Sequence, residues 1–211
     1  MTIQYDLKQQ KRVYERWANI YDMLYLKLLA ASQRRVAQAA SLAGPRILEV
    51  GVGTGLVLRY YAANTAVIGA DLSVPMLCKA QEKVRDLSLQ HVLGVVAMDA
   101  CRLGFADASF DAVSVPFVIT LVPDPEGALD EIARVLKPGG TIAIVSRFGA
   151  ETGVQAAFET MIAPLMKRVG WSSSFKVSRV VNWAQKSGNI ELVEVKAGLY
   201  FKLLRLRKTG G

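Results

Sequence analysis

The 211 residues include two cysteines, one histidine and no apolar run near the ~20 residues that a bilayer-crossing helix needs. Cys78 and Cys101 have neither C-x-x-C spacing nor a histidine partner, which argues against a zinc site and against a disulfide framework. Two such thiols fit a reducing compartment, in or near the core. The single histidine, His91, opens an apolar run and reads as structural or exposed. The start of the chain, with Asp6, Lys8, Lys11, Arg12, Glu15 and Arg16, lacks the uninterrupted apolar stretch of a signal peptide, so a soluble, cytoplasmic chain is expected. Two phosphate-binding loops are also missing. There is no G-x-x-x-x-G-K-[ST] run, and in Gly51-Val52-Gly53-Thr54-Gly55 the third glycine comes one residue too early for G-x-G-x-x-G, whose slot holds Leu56.

Hydrophobic residues make up 52% of the chain, enough at this length for a single well-cored domain, 1–211. The net charge of +8 is uneven. Residues 1–35 carry a net +4, residues 36–162 a net −4 and residues 163–211 a net +8. A mildly acidic middle with basic ends suggests a catalytic core whose flanks meet something anionic, a membrane surface or nucleic acid.

Strand-like runs at 46–50, 66–70, 92–97, 110–115 and 141–146 alternate with helical patterns at 74–86 and 125–136, the second ending in "LKPGG", whose proline and glycines should stop the helix and turn the chain. A long helix over 152–169 and a shorter one over 177–187 follow, and then two alternating runs, 190–196 and 200–207, split by Ala197-Gly198. This order predicts an α/β fold with a mostly parallel seven-stranded sheet and an antiparallel C-terminal hairpin. An extra N-terminal helix precedes it. Ile3, Leu7, Tyr14, Trp17, Tyr21, Leu24 and Leu28 recur at helical steps, with Lys8, Lys11, Arg12 and Arg16 largely elsewhere around it. Such an amphipathic, basic and aromatic helix can lie in an anionic lipid interface and act as a lid, or can simply pack on the domain.

In "ILEVGVGTG" a buried strand leads through a glycine turn into the expected first turn of a helix, and ligands of doubly wound sheets bind outside the carboxyl ends of the strands. Gly51, Gly53 and Gly55 follow the first strand. Asp71 ends the second, twenty residues beyond Gly51, where an acid can accept from both hydroxyls of a ribose. Asp99 follows the third, able to accept from an exocyclic amine while the Ala100 amide donates to a ring nitrogen. Glu49 suits a positive charge and would repel a pyrophosphate. Adenosine, a cation and no phosphate together indicate S-adenosylmethionine.

The set "ILEVGVGTG", "GADLSVPML", "MDACRLGFADASFDAV" and "ALDEIARVLKPGG" resembles the class I S-adenosylmethionine-dependent methyltransferases from about Arg46 to Ser146. The resemblance implies a Rossmann-like fold with residues 46–146 as the cofactor core, and cofactor contacts at Glu49, Gly51, Gly53, Gly55, Asp71, Leu72, Met76, Asp99 and Ala100. Gly55 can also serve only helix packing, and Asp71 only a helix cap. "VYERWANIYDMLY" and "SRFGAETG" resemble the opening helix and a later loop of the small soluble bacterial phospholipid N-methyltransferases, which implies stepwise methylation of phosphatidylethanolamine by an enzyme peripheral on the inner face of the cell membrane. At Ser146-Arg147 that family pattern would read Asn-His. An arginine cannot serve as a base but can hold a lipid phosphate. Tyr14, Tyr21 and Tyr25 are the candidates for the amine, because aromatic faces attract ammonium groups. Nucleic acid is disfavoured as acceptor, since the place of a target-base motif reads "VPFVITL"; no metal is expected. A quinone-biosynthesis C-methyltransferase and a non-catalytic S-adenosylmethionine-binding regulator are the alternatives.

Overall fold

The computed structural model describes residues 29–149, 175–198 and 200–210. The chain divides into two compact units, Met1–Ala31 and Ser32–Gly211. The first lies almost wholly outside the described residues, as does the helix expected over 152–169. The expected N-terminal helix falls largely on residues outside the described ones; within them, residues 29–41 are helical (α1).

The second unit runs β1 (Arg46–Val50), a 3-10 turn (Leu58–Tyr60), β2 (Ala66–Asp71), α2 (Val74–Asp86), β3 (Val92–Ala97), β4 (Phe110–Pro116), α3 (Pro125–Val135), β5 (Leu136–Ser146), α4 (Val177–Ser187), β6 (Ile190–Ala197) and β7 (Lys202–Lys208). Its seven strands form one sheet in the order β3-β2-β1-β4-β5-β7-β6. Pairs among β1 to β5 are parallel; β7 runs antiparallel to both β5 and β6. The order reverses between β1 and β4, so the glycine loop after β1 opens at the switch point where such sheets bind ligands.

The central strands are buried as nearly continuous apolar runs, as expected for parallel strands covered on both faces. Leu48, Val50, Val113, Val115, Ile142 and Ile144 form the middle of a core that takes in Leu129 and Ile132 of α3 and Val180 and Trp183 of α4. Asp124 caps α3 by accepting from the Gly127 amide at 3.0 Å. Two polar links tie α3 to α4: the Trp183 indole donates to Asp130 at 2.7 Å, and Arg179 pairs with both oxygens of Glu126.

Three expectations need correction. No α-helix follows the glycine loop; only the 3-10 turn does, because Gly51, Gly53 and Gly55 all have positive φ and the chain must return to begin β2 at Ala66. "LKPGG" is not a turn between helix and strand. The chain becomes extended at Leu136, which already pairs with Phe110, and residues 137–140 form a bulge before Thr141 pairs with Ala112. The bulge needs its glycines: Gly139 has φ +78°, and a Cβ on Gly140 would come within 2.8 Å of the Asp111 carbonyl. Finally, Cys78 is exposed on α2, whose buried positions are Leu77 and Ala80, and not in or near the core; Cys101 does lie near the core, half-buried against it, with its thiol donating to the Asp124 carbonyl at 3.3 Å. Among the described residues no helix is long and apolar enough to cross a membrane.

Candidate active site

The glycine loop is held from several directions. The Gly51 and Val52 amides both donate to the Ala70 carbonyl, at 2.8 and 3.0 Å, tying the loop to β2. The Gly53 amide donates to Asp71 Oδ2 and the Ser73 amide to Asp71 Oδ1, each at 2.8 Å. Lys83 of α2 donates to the Thr54 carbonyl at 2.7 Å, and its partial burial, with Arg59 nearby, lowers the pKa of its ammonium. His91 Nε2 lies 2.8 Å from the Leu58 carbonyl and fastens the 3-10 turn behind the loop, a structural role as its position suggested. A Cβ at Gly51 would lie 2.5 Å from Cβ of Val118, so only glycine lets the loop pass the start of the segment after β4.

Two clefts open beside this loop, with Gly51 on the wall of both. One, of about 180 Å³, brings Asp71 and Leu72 together with Met98, Asp99, Ala100 and Leu121. A carboxylate offers roughly four acceptor positions. The Gly53 and Ser73 amides take two on Asp71, which leaves acceptors for a ribose diol. Asp99 is folded back so that its Oδ1 accepts from the Cys101 amide at 2.9 Å, which fixes the turn presenting the Ala100 amide.

The other cleft, of about 240 Å³, is lined by Glu49, Gly51, Gly53, Thr54 and Met76, with Gln33, Pro116 and Phe117 closing it. Glu49 is fully buried and neither carboxyl oxygen has a hydrogen-bond partner. The hydroxyls of Tyr61 and Ser114, buried beside it, are unpartnered too; Tyr61 is coupled electrostatically to Glu49, yet no hydrogen bond closes between them. Burial pushes the Glu49 carboxyl up to about 8. Around neutral pH the carboxyl is therefore largely neutral, and it repels an anion only after a cation has drawn off its proton. An unpartnered buried carboxyl is costly unless something supplies its partner, and a positively charged group does so.

The fold thus gathers Glu49, Gly51, Gly53, Asp71, Leu72, Met76, Asp99 and Ala100 around the two clefts. Gly55 lines neither. A Cβ there would lie 3.2 Å from Ala80 Cβ, so this glycine serves the packing of α2 against the loop. Arg147 follows β5, with its guanidinium 4.8 Å from the centre of the Tyr200 ring. Tyr14, Tyr21 and Tyr25 lie outside the described residues. Reading the sequence missed Gln33, Tyr61, Ser114, Phe117 and Val118. Ser114 had a visible signal, a polar residue inside the apolar strand "FDAVSVP" that stands opposite Glu49 in the β1–β4 register. Phe117 had none, because its φ of +61° is imposed by the turn after β4.

A family model described as a methyltransferase domain matches residues 48–144. The chain belongs to the S-adenosylmethionine-dependent methyltransferases, with the class I α/β fold, and S-adenosylmethionine is its cofactor. Within that class it is similar over almost its whole length to the phosphatidylethanolamine N-methyltransferase of Cereibacter sphaeroides: 39% identical over 206 residues, 96% of this chain and 99% of that enzyme. It is also 38% identical over 116 residues to the demethylmenaquinone methyltransferase of Thermus thermophilus, 54% of this chain and 52% of that one. Among solved structures the fold is shared with a Haemonchus contortus N-methyltransferase in complex with phosphomonomethylethanolamine and S-adenosylhomocysteine, with TM-score 0.62 and 21% identity over 80% of this chain and 50% of that one.

Proposed function

We propose that the enzyme methylates the amine of phosphatidylethanolamine, toward phosphatidylcholine, at the cytoplasmic face of a membrane. The observation that carries this reading is the extent of the similarity. At nearly equal identity, the demethylmenaquinone enzyme matches 54% of the chain and the phosphatidylethanolamine enzyme 96%, so the latter likeness extends well beyond the cofactor core.

The residues around the clefts fit the cofactor, since Asp71 keeps acceptors for a diol and Glu49 lacks a partner that a cation would provide. Bound there, S-adenosylmethionine supplies an electrophilic methyl group. The chain's own task is to position the acceptor and manage its proton. A primary alkylamine resembles lysine, with a reference pKa of about 10.4, and must lose a proton before it can attack. An aligned attack is then worth about 7 to 11 kcal/mol. We assign Tyr14, Tyr21 and Tyr25 to the amine and Arg147 to the phosphate, and residues 1–35 to the anionic membrane surface and to the lid. Nucleic acid and metal have no part in this reading.

The test is methyl transfer by the purified chain to phosphatidylethanolamine and to a demethylated quinone precursor, with S-adenosylhomocysteine formation and product masses as readouts. Turnover of the quinone precursor alone would replace the phospholipid reading with the carbon-methylation one, which the partial similarity to the demethylmenaquinone enzyme supports. Cofactor binding without turnover of either would make the chain a regulator.

A further inference from the structure

The 3-10 turn behind the glycine loop carries Arg59 and Tyr60, and α1 brings Arg34 against it. Both guanidinium groups lie over the Tyr60 ring, Arg34 at 5.3 Å and Arg59 at 5.6 Å from its centre. Each arginine is exposed, and among the described residues neither pairs with a carboxylate. Arg59 Nε donates to the Leu56 carbonyl at 3.4 Å, which lays its side chain along the loop. A third cation, Lys83 of α2, donates to the Thr54 carbonyl and also has no acidic partner; burial first, and the charge of Arg59 second, lower the pKa of its ammonium. A local excess of positive charge thus stands inside a stretch, residues 36–162, whose net charge is −4. An anion from outside relieves it.

The arrangement suits phosphates. Stacking on an aromatic ring engages the flat face of a guanidinium and leaves its N–H edge for planar donation to phosphate oxygens. A single ring that holds two guanidinium groups also reduces the side-chain entropy lost on contact. The three cations line neither of the two clefts, so they face a surface and not an enclosed ligand. Leu56 is exposed beside them, and Tyr60 combines an apolar ring with a polar tip, a side chain suited to the boundary between an apolar and a wet phase. The patch has a fixed place relative to the site. Leu56 and Val57 of the same loop, and Gln33 next to Arg34, are walls of the cleft that holds Glu49.

We infer that Arg34 and Arg59, stacked on Tyr60 with Leu56 and Lys83 beside them, form a docking patch for an anionic lipid surface that sets the side of the Glu49 cleft against the bilayer. The inference rests on the phospholipid reading for the presence of a membrane. It places a membrane contact on the methyltransferase unit itself, separate from the cations Lys8, Lys11, Arg12 and Arg16 of the first helix.

The experiment uses the full chain with S-adenosylhomocysteine bound and measures co-sedimentation with phosphatidylcholine vesicles made with and without phosphatidylglycerol. Wild type should prefer the vesicles that contain phosphatidylglycerol. Arg34→Gln with Arg59→Gln should weaken that binding up to roughly thirtyfold at low salt, since each Lys or Arg near an anionic surface is worth about a fivefold change in affinity, and added salt should shrink the difference. Tyr60→Phe, which keeps the ring, should bind as wild type, and S-adenosylhomocysteine affinity should hold in every variant. Lys186→Gln with Arg207→Gln removes the same charge from exposed positions elsewhere and should cost much less. An equal loss in that control would reduce the effect to net charge and overturn the patch, as would unchanged binding in the Arg34, Arg59 variant. Tighter binding of an RNA or DNA duplex through the same two arginines would give the patch to nucleic acid and overturn the lipid assignment. Patch-dependent vesicle binding without turnover of phosphatidylethanolamine would leave the patch standing and defeat the methylation reading alone. Turnover of phosphatidylethanolamine with vesicle binding indifferent to Arg34 and Arg59 would do the reverse.

Discussion

Replacing Glu49 by glutamine should flatten the pH dependence of stability in the cofactor-free enzyme. The carboxyl has an ordinary value of 4.5 and burial raises it to about 8 in the folded chain. Between those values the folded state holds a proton that the unfolded state has released, so stability falls as pH rises, and the loss is complete only above the folded value. The residue is fully buried, so solvent does not screen the effect. At ~1.36 kcal/mol per pH unit, the loss between about pH 5.5 and pH 7.5 is roughly 2 to 3 kcal/mol. Glutamine matches the shape of glutamate and does not titrate, so Glu49→Gln should lack this component and become the more stable of the two as pH rises. The assay is urea denaturation of both proteins, free of cofactor, at several pH values across that window. Taking the difference between the two curves removes every other titrating group. Parallel curves would show that Glu49 ionises normally in the folded protein, and would remove the argument that its carboxyl awaits a cationic partner.

Asp71→Ala should lower affinity for S-adenosylhomocysteine by roughly 1.5 to 3 kcal/mol for each lost hydrogen bond to the carboxylate, and should also destabilise the empty protein because the Gly53 and Ser73 amides lose their acceptor. Calorimetry showing wild-type affinity in a folded variant would refute the ribose assignment. Gly51→Ala should destabilise by about 1 to 3 kcal/mol, since the new methyl meets Val118 at a backbone angle that favours glycine, and Val118→Ala added to it should restore only the steric part. Denaturation midpoints of the single and double variants decide this. Neutralising Lys8, Lys11 and Arg12 together should weaken co-sedimentation with anionic vesicles by up to ~3 kcal/mol at low salt, an effect that added salt should largely erase. Equal binding to neutral and anionic vesicles would refute the membrane role of the first helix.

Much of this architecture was legible from local pattern. The alternation of apolar runs with helical periods announced the parallel strands, and the boundaries of α2 and α4 emerge as their periodicity placed them, because amphipathic periods and turn residues are local properties. Gly51 and Gly53 after β1, the acid ending β2 and the Asp99-Ala100 pair could likewise be placed at strand ends from the sequence, and the fold brings them to the two clefts. Other features depend on contacts between distant segments. No local pattern shows that Gly51 must admit Val118, that Gly55 packs against Ala80, or that Asp71 holds the glycine loop by an amide eighteen residues away. The neutrality of Glu49 is of the same kind. Its position before the loop is written in the sequence, but whether a carboxyl carries charge depends on the solvent and partners left to it, and those are set by Tyr61, Ser114 and the closing of the sheet around them.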